Sequence, residues 1–215
     1  MENNTTTITV AYGDGIGPEI MESALLILRE SAACVRIESV ELGQRIYNMG
    51  AKYGILPSAW DMLKRNKILL KSPITIPHDQ DYKNVNEKIY EKFGLSPENL
   101  DIYNSINITD TELLQASQNI SDEFALFETM QDAAPDLAGK DIANPCAIIQ
   151  ASVLMLKYLG QDSTAGLIEK ALQQTISDGI HTADIHSRAH SKKKVGTKEV
   201  TDEIIARLGM SRTTS

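Results

Sequence analysis

The chain has 215 residues, 42% of them hydrophobic, enough for one sizeable core and little more than one domain. Its 29 acidic residues outnumber 21 lysines and arginines, and the formal net charge of -8 disfavours a nucleic-acid role, because an acidic surface gains nothing from counterion release. No apolar run approaches the length of a membrane span, and Met1 to Thr7 is polar with Glu2 as its only charge, unlike a signal or transit peptide; a soluble cytoplasmic protein is expected.

In chain order, Ile8 to Tyr12 reads as a strand and Gly13 to Gly17 as a turn. Pro18 then stands where a first helical residue belongs, and Ile20, Ala24 and Leu28 give a buried face through about Ser31. Val35 to Leu42 alternates as a strand does. Ser58 with Asp61 resembles a capping box for a helix carrying Trp60 and Leu63. Lys67 to Lys71 reads as a strand ended by Ser72-Pro73, and Asn84 to Lys92 as a helix. Leu100 to Ile106 is expected as a further strand, and Asp110 as the cap of a short helix to Ser117.

Asn144-Pro145 is a strong helix start, a side-chain acceptor followed by proline. The face Ile148, Ala151, Val153, Met155 and Leu159 follows, closed by Gly160. Asp162 to Ile176, closed by Gly179, and a helix from Thr197 to Gly209 complete the pattern, with a frayed end from Met210 to Ser215. Strands alternating with helices predict a layered α/β fold. Cys34 and Cys146 lack metal-ligand spacing and read as buried small hydrophobes.

Gly13-Asp-Gly-Ile-Gly17 has Gly-x-Gly-x-Gly spacing with no following Lys-Ser/Thr. It therefore fails as a generic dinucleotide or P-loop motif and reads as a tight strand-to-helix turn. Two longer runs are more specific: Ala11-Tyr-Gly-Asp-Gly-Ile-Gly-Pro-Glu-Ile20 and Ala134-Pro-Asp-Leu-Ala-Gly-Lys-Asp-Ile-Ala-Asn-Pro145. They resemble two signatures of the isocitrate/isopropylmalate dehydrogenase family, closest to the isocitrate dehydrogenases, and Asp178-Gly-Ile-His-Thr-Ala-Asp184 and Lys194-Val-Gly-Thr-Lys-Glu199 extend the likeness. The resemblance covers residues 8–95 and 119–209. It implies one α/β domain over 1–215, equivalent to the family's large domain, a three-layer sheet with flanking helices, and lacking the small domain that lies between the two blocks in the family.

Members of that family oxidise and decarboxylate a 2-hydroxy acid with NAD or NADP and Mg or Mn. Arginines hold the substrate carboxylates, because guanidinium forks match them in geometry and charge; aspartates hold the metal. In Lys71-Ser-Pro-Ile-Thr-Ile-Pro77, which resembles the loop approaching the nicotinamide, Thr75 remains and Ile76 replaces the second threonine. The positions matching a serine, an asparagine and the first substrate arginine hold Asn84, Asn86 and Tyr90, so only Asn86 survives. The remaining arginines, the catalytic Tyr and Lys and the metal aspartates would lie in the missing block; Asp110 alone stands near a metal turn and reads better as a helix cap.

The adenosine loop is matched by Gln131-Asp-Ala-Ala-Pro-Asp136. Asp136 stands where NAD-using members place an acid for the ribose hydroxyls, which favours NAD over NADP, and Asn144 matches an adenine-contacting position. Gln131 and Asp132 replace His and Gly there, and the Asp132 charge opposes a pyrophosphate. His181 is expected to be structural or at the edge of the cofactor site; His186 and His190 have no convincing ligand geometry. The expected function is that of a degenerate family member with a partial NAD or adenine-nucleotide site, or a protein-interaction domain, with no confident catalytic or metal residue. The alternative is a subunit of an NAD-dependent isocitrate dehydrogenase completed in trans by a full-length partner.

Overall fold

The computed structural model describes residues 5–77, 83–104 and 115–212. Strand β1 (Thr6–Ala11) leads through the glycine turn into helix α1 (Gly17–Glu30), then strand β2 (Val35–Val40), short helix α2 (Gln44–Asn48), helix α3 (Pro57–Asn66) and strand β3 (Ile68–Lys71). Helix α4 (Val85–Phe93) and strands β4 (Leu100–Asn104), β5 (Gln115–Ile120) and β6 (Ala125–Thr129) follow. The chain ends in helices α5 (Cys146–Tyr158) and α6 (Asp162–Ser177), the two-residue strands β7 (Ile180–His181) and β8 (Lys193–Lys194), and helix α7 (Thr197–Arg212).

Six strands form one sheet in the order β2-β1-β3-β6-β5-β4, parallel from β2 to β6 and antiparallel from β6 to β4. The period-2 alternation of strand side chains separates two cores. Ile8, Val10, Ile68, Leu70, Ala125 and Phe127 pack on one face with α1, α5, α6 and α7. Ala11, Leu69 and Leu126 pack on the other, with α3 and α4 residues such as Leu63, Ile89 and Phe93. The result is the expected three-layer α/β sheet with helices on both faces.

Helix α5 is buried without a break from Cys146 to Leu156, as an apolar run facing both the sheet and its neighbouring helices must be. Gln161 ties the start of α6 to the loop before β2: its side-chain Oε1 accepts from the Cys34 amide at 2.8 Å and its Nε2 donates to the Cys34 carbonyl at 3.2 Å. Cys34 is thus only half-buried, unlike the expectation, while Cys146 is fully buried.

Several local readings need correction. No capping box opens α3: Leu56 is the extended residue before Pro57, and no side chain caps the helix. Lys67 takes a left-handed φ of +60° and closes α3, so β3 starts at Ile68. Ser117 lies in β5, not in a helix, because Gln115–Ile120 is paired on both sides, with β4 and β6. Asp110 and residues 105 and 106 lie outside the described residues. The all-buried strand β6 was not anticipated at all. No helix among the described residues is long and apolar enough to cross a membrane.

Candidate functional site

Because β1, β2, β3 and β6 are parallel, the loops leaving their C-terminal ends meet along one edge of the sheet, where ligands of open α/β sheets bind. The glycine turn joins these loops. The Asp14 carboxylate accepts from the Gln44 amide at 3.0 Å and the Thr75 amide at 2.8 Å. The Asp14 amide donates to the Pro73 carbonyl at 2.8 Å, and the Ile16 amide to the Ala133 carbonyl at 2.7 Å.

Gly13 and Gly15 have φ of +69° and +58°, and a Cβ on either would sit 2.1 Å from the Pro73 oxygen or 1.8 Å from the Ala133 oxygen. The turn needs glycine for left-handed backbone and for close approach of two loops. The Asp14, Ile16 and Gly17 amides are engaged with protein carbonyls, which agrees with a structural turn.

Beside this junction, between the ends of β3 and β6, lies a cavity of about 230 Å³ lined by Lys71, Asn86, Tyr90, Glu128, Gln131 and Asp132 among others. Lys71 and Glu128 are register partners on the two strands, and their charged groups meet at 2.7 Å, almost fully buried. The Tyr90 hydroxyl on α4 donates to the other Glu128 oxygen at 3.2 Å. Burial, reinforced by the Glu128 charge, pushes the Tyr90 phenol up to about 12, so it stays a neutral donor. Thr129 donates to the Gln131 side chain at 3.2 Å, and Gln131 in turn donates to the Asn144 carbonyl at 3.2 Å.

Of the residues picked from sequence, Asn86 lines this cavity, and its side-chain oxygen is buried without a hydrogen-bond partner. Asn84 caps α4, accepting from the Asn86 amide at 2.8 Å. Thr75 lies on the neighbouring loop, held through its amide by Asp14. Asp136 is exposed on a 3-10 turn after the left-handed Ala134. Glu19 of α1 fixes that loop, accepting from the Gly139 amide at 3.1 Å and from the Thr197 hydroxyl.

Asn144 is buried, and both ends of its amide are engaged: Oδ1 accepts from the Cys146 amide at 3.0 Å, and Nδ2 donates to Asp184 at 2.9 Å. Its side chain accepts at the start of α5 and ties that start to Asp184. His181 is buried, its Nε2 donating to the Ile176 carbonyl at 3.0 Å and its Nδ1 facing the Ser191 hydroxyl at 2.7 Å. A carbonyl can only accept, so the Nε2–H tautomer follows, and His181 braces the β7–β8 region. Among the described residues no group of three His, Cys, Asp or Glu side chains is arranged to hold a metal ion.

Sequence reasoning missed Lys71, Glu128 and their link to Tyr90. Two signals were visible: a lysine ending an apolar strand, and a glutamate directly after the apolar run Phe124 to Phe127.

The family model for isocitrate/isopropylmalate dehydrogenase matches residues 113–204. The chain is 28% identical to the NADP isocitrate dehydrogenase of Rickettsia bellii over 338 positions, covering 95% of this chain and 70% of that one. That stretch is longer than the chain itself. The chain is also 47% identical over 93 residues to 3-isopropylmalate dehydrogenase of Aquifex aeolicus, covering 43% of this chain and 25% of that one.

Among solved structures, the β-decarboxylating dehydrogenase of Thermococcus kodakarensis superposes with a TM-score of 0.79 at 18% identity, covering 97% of each chain. The isocitrate dehydrogenase of Methylococcus capsulatus does so with a TM-score of 0.78 at 17% identity, covering 94% of this chain and 99% of that one. These two likenesses are likenesses of fold.

Proposed function

We propose that this chain, which belongs to the isocitrate/isopropylmalate dehydrogenase family, is a catalytically degenerate member that lacks the small domain and keeps a partial site for NAD. The observation that carries this reading is Tyr90. It stands where the resemblance places the first substrate arginine, and its hydroxyl is committed to Glu128, the same carboxylate that holds Lys71. Among the described residues lining the cavity no cation is left for a substrate carboxylate. A buried carboxylate without its partner costs about 3–5 kcal/mol, enough to defeat binding of a di- or tricarboxylate.

The nucleotide side is better supported. Asp136 presents its carboxylate at the surface, where it can accept from both ribose hydroxyls and would repel a 2′-phosphate. Its loop is fastened at two points, by the Ile16 amide on Ala133 and by Glu19 on Gly139. NAD bound there would supply a hydride acceptor; the residues of this chain position its adenosine end.

Thermal unfolding with NAD, NADP, ADP, or isocitrate plus Mg²⁺ tests the reading. A ligand at a hundred times its Kd stabilises by about 2.7 kcal/mol. NAD is expected to raise the midpoint, Asp136→Ala to abolish the rise, and isocitrate to change nothing. Turnover of isocitrate by the purified chain would refute the degenerate reading.

The second reading, a subunit completed in trans by a full-length isocitrate dehydrogenase, draws on the outer edge of the sheet. There β4 exposes Ile102 and Tyr103, both large and apolar. It requires a stable complex with a complete homologue, measurable by co-purification.

A further inference from the structure

We infer that the cavity between β3 and β6 is a binding site for a protonated amine, the opposite in charge of the carboxylates handled by the family the chain belongs to. The inference concerns this cavity alone and stands whether or not Asp136 holds a nucleotide.

Apart from the Asn86 carboxamide, the side-chain donors around the cavity are already engaged within the protein. The Lys71 ammonium is bound to Glu128, and the Tyr90 hydroxyl to the same carboxylate. The Thr129 hydroxyl donates to Gln131, and the Gln131 amide to the Asn144 carbonyl. The acceptors are in surplus. The Asn86 Oδ1 is buried with no partner, and the Asp132 carboxylate is exposed at the cavity wall. A buried acceptor without a donor is costly, and a ligand that brings an N–H removes that cost.

The charges point the same way. Among the described lining residues there is one ammonium, Lys71, against two carboxylates, Glu128 and Asp132. With Lys71 and Glu128 neutralising each other, Asp132 leaves the field negative, which attracts a cation and repels an anion. An ammonium carries three donors and no acceptor, the complement of what the cavity offers. Pro73, Ile74, Met130 and Ala133 supply apolar surface for a short carbon stem, and about 230 Å³ is ample for a small amine.

Three probes with one carbon skeleton separate the possibilities: n-propylammonium, propionamide and propionate, titrated into ¹⁵N-labelled full-length protein and followed by the backbone amide shifts of Met130 to Ala133. Millimolar binding of propylammonium is expected, with propionamide weaker and propionate leaving the shifts unmoved. Asp132→Asn, a surface change that spares the fold, is expected to weaken propylammonium about fivefold, the effect of one nearby solvated charge. Asn86→Ala is expected to weaken both nitrogen probes. Propionate binding as tightly as propylammonium, no shift with any probe, or an affinity indifferent to both substitutions would overturn the inference.

Discussion

The ammonium of Lys71 and the carboxylate of Glu128 face each other at 2.7 Å from paired positions at the ends of two parallel strands, 2% and 7% exposed. Two charges so placed depend on each other. Glu128→Gln leaves a buried ammonium unpaired and is expected to destabilise the fold by about 3–5 kcal/mol in urea unfolding. The double variant Lys71→Met with Glu128→Leu removes both charges and should recover at least half of that loss. A single variant as stable as the original protein would mean that Lys71 finds another counter-charge.

Tyr90 gives the same cluster a signature at high pH. Its phenol titrates near 12, against 10.0 ordinarily, because burial and the Glu128 charge favour the neutral form. Below pH 10 the folded and unfolded chains both keep the proton, and the contribution to stability is fully present. Between 10 and 12 the unfolded chain ionises first, so stability falls as pH rises. Tyr90→Phe should flatten that part of the stability curve and remove a late-appearing tyrosinate from an absorbance titration near 295 nm.

The close approach of the glycine turn to the loop after β6 can be tested by a matched pair. Gly15→Ala places a methyl 1.8 Å from the Ala133 oxygen at a φ of +58°; Gly94→Ala, at +64°, meets nothing within 4 Å. The second is expected to cost about 1–2 kcal/mol from backbone strain alone. The first should cost clearly more and should open the 131–137 loop to proteolysis. Equal costs would show that the loop shifts freely.

The two cysteines should differ in reactivity. Burial, with the Asp184 charge behind it, pushes the Cys146 thiol far up, whereas Cys34 is half-buried. At about pH 8, a thiol reagent such as dithiobisnitrobenzoate should modify Cys34 in the folded protein and Cys146 only after unfolding. Modification of both at one rate would contradict the burial of the α5 start.

The sequence discloses those elements whose signal is local. Pro18 followed by Ile20, Ala24 and Leu28 defines α1, and Asn144-Pro145 announces α5, because caps and apolar spacing act within a turn or two. Strand β5 escapes because Gln115–Ile120 is mostly polar and is held extended by neighbours on both sides. The ion pair escapes for a related reason: nothing local announces that Lys71 and Glu128 belong to adjacent strands. Asn144 shows the converse. A family-like position suggests a ligand contact, and the structure adds a packing role, a bond to the Cys146 amide and one to Asp184, that no local signal announces. Asn86 was found by resemblance, but its unpartnered oxygen and the cavity before it emerge only from packing.

The two-sided core sets the order in which this molecule can be made. β1 and β3 present Ile8, Val10, Ile68 and Leu70 to a layer built from α5, α6 and α7, which arrive only with the last third of the chain. During synthesis from the N-terminus the first strands can gather their other face with α3 and α4, while the face that α1 covers only in part waits for α5. A nascent chain stalled before Cys146 is therefore a sticky half-product, dependent on chaperones until its central helix emerges.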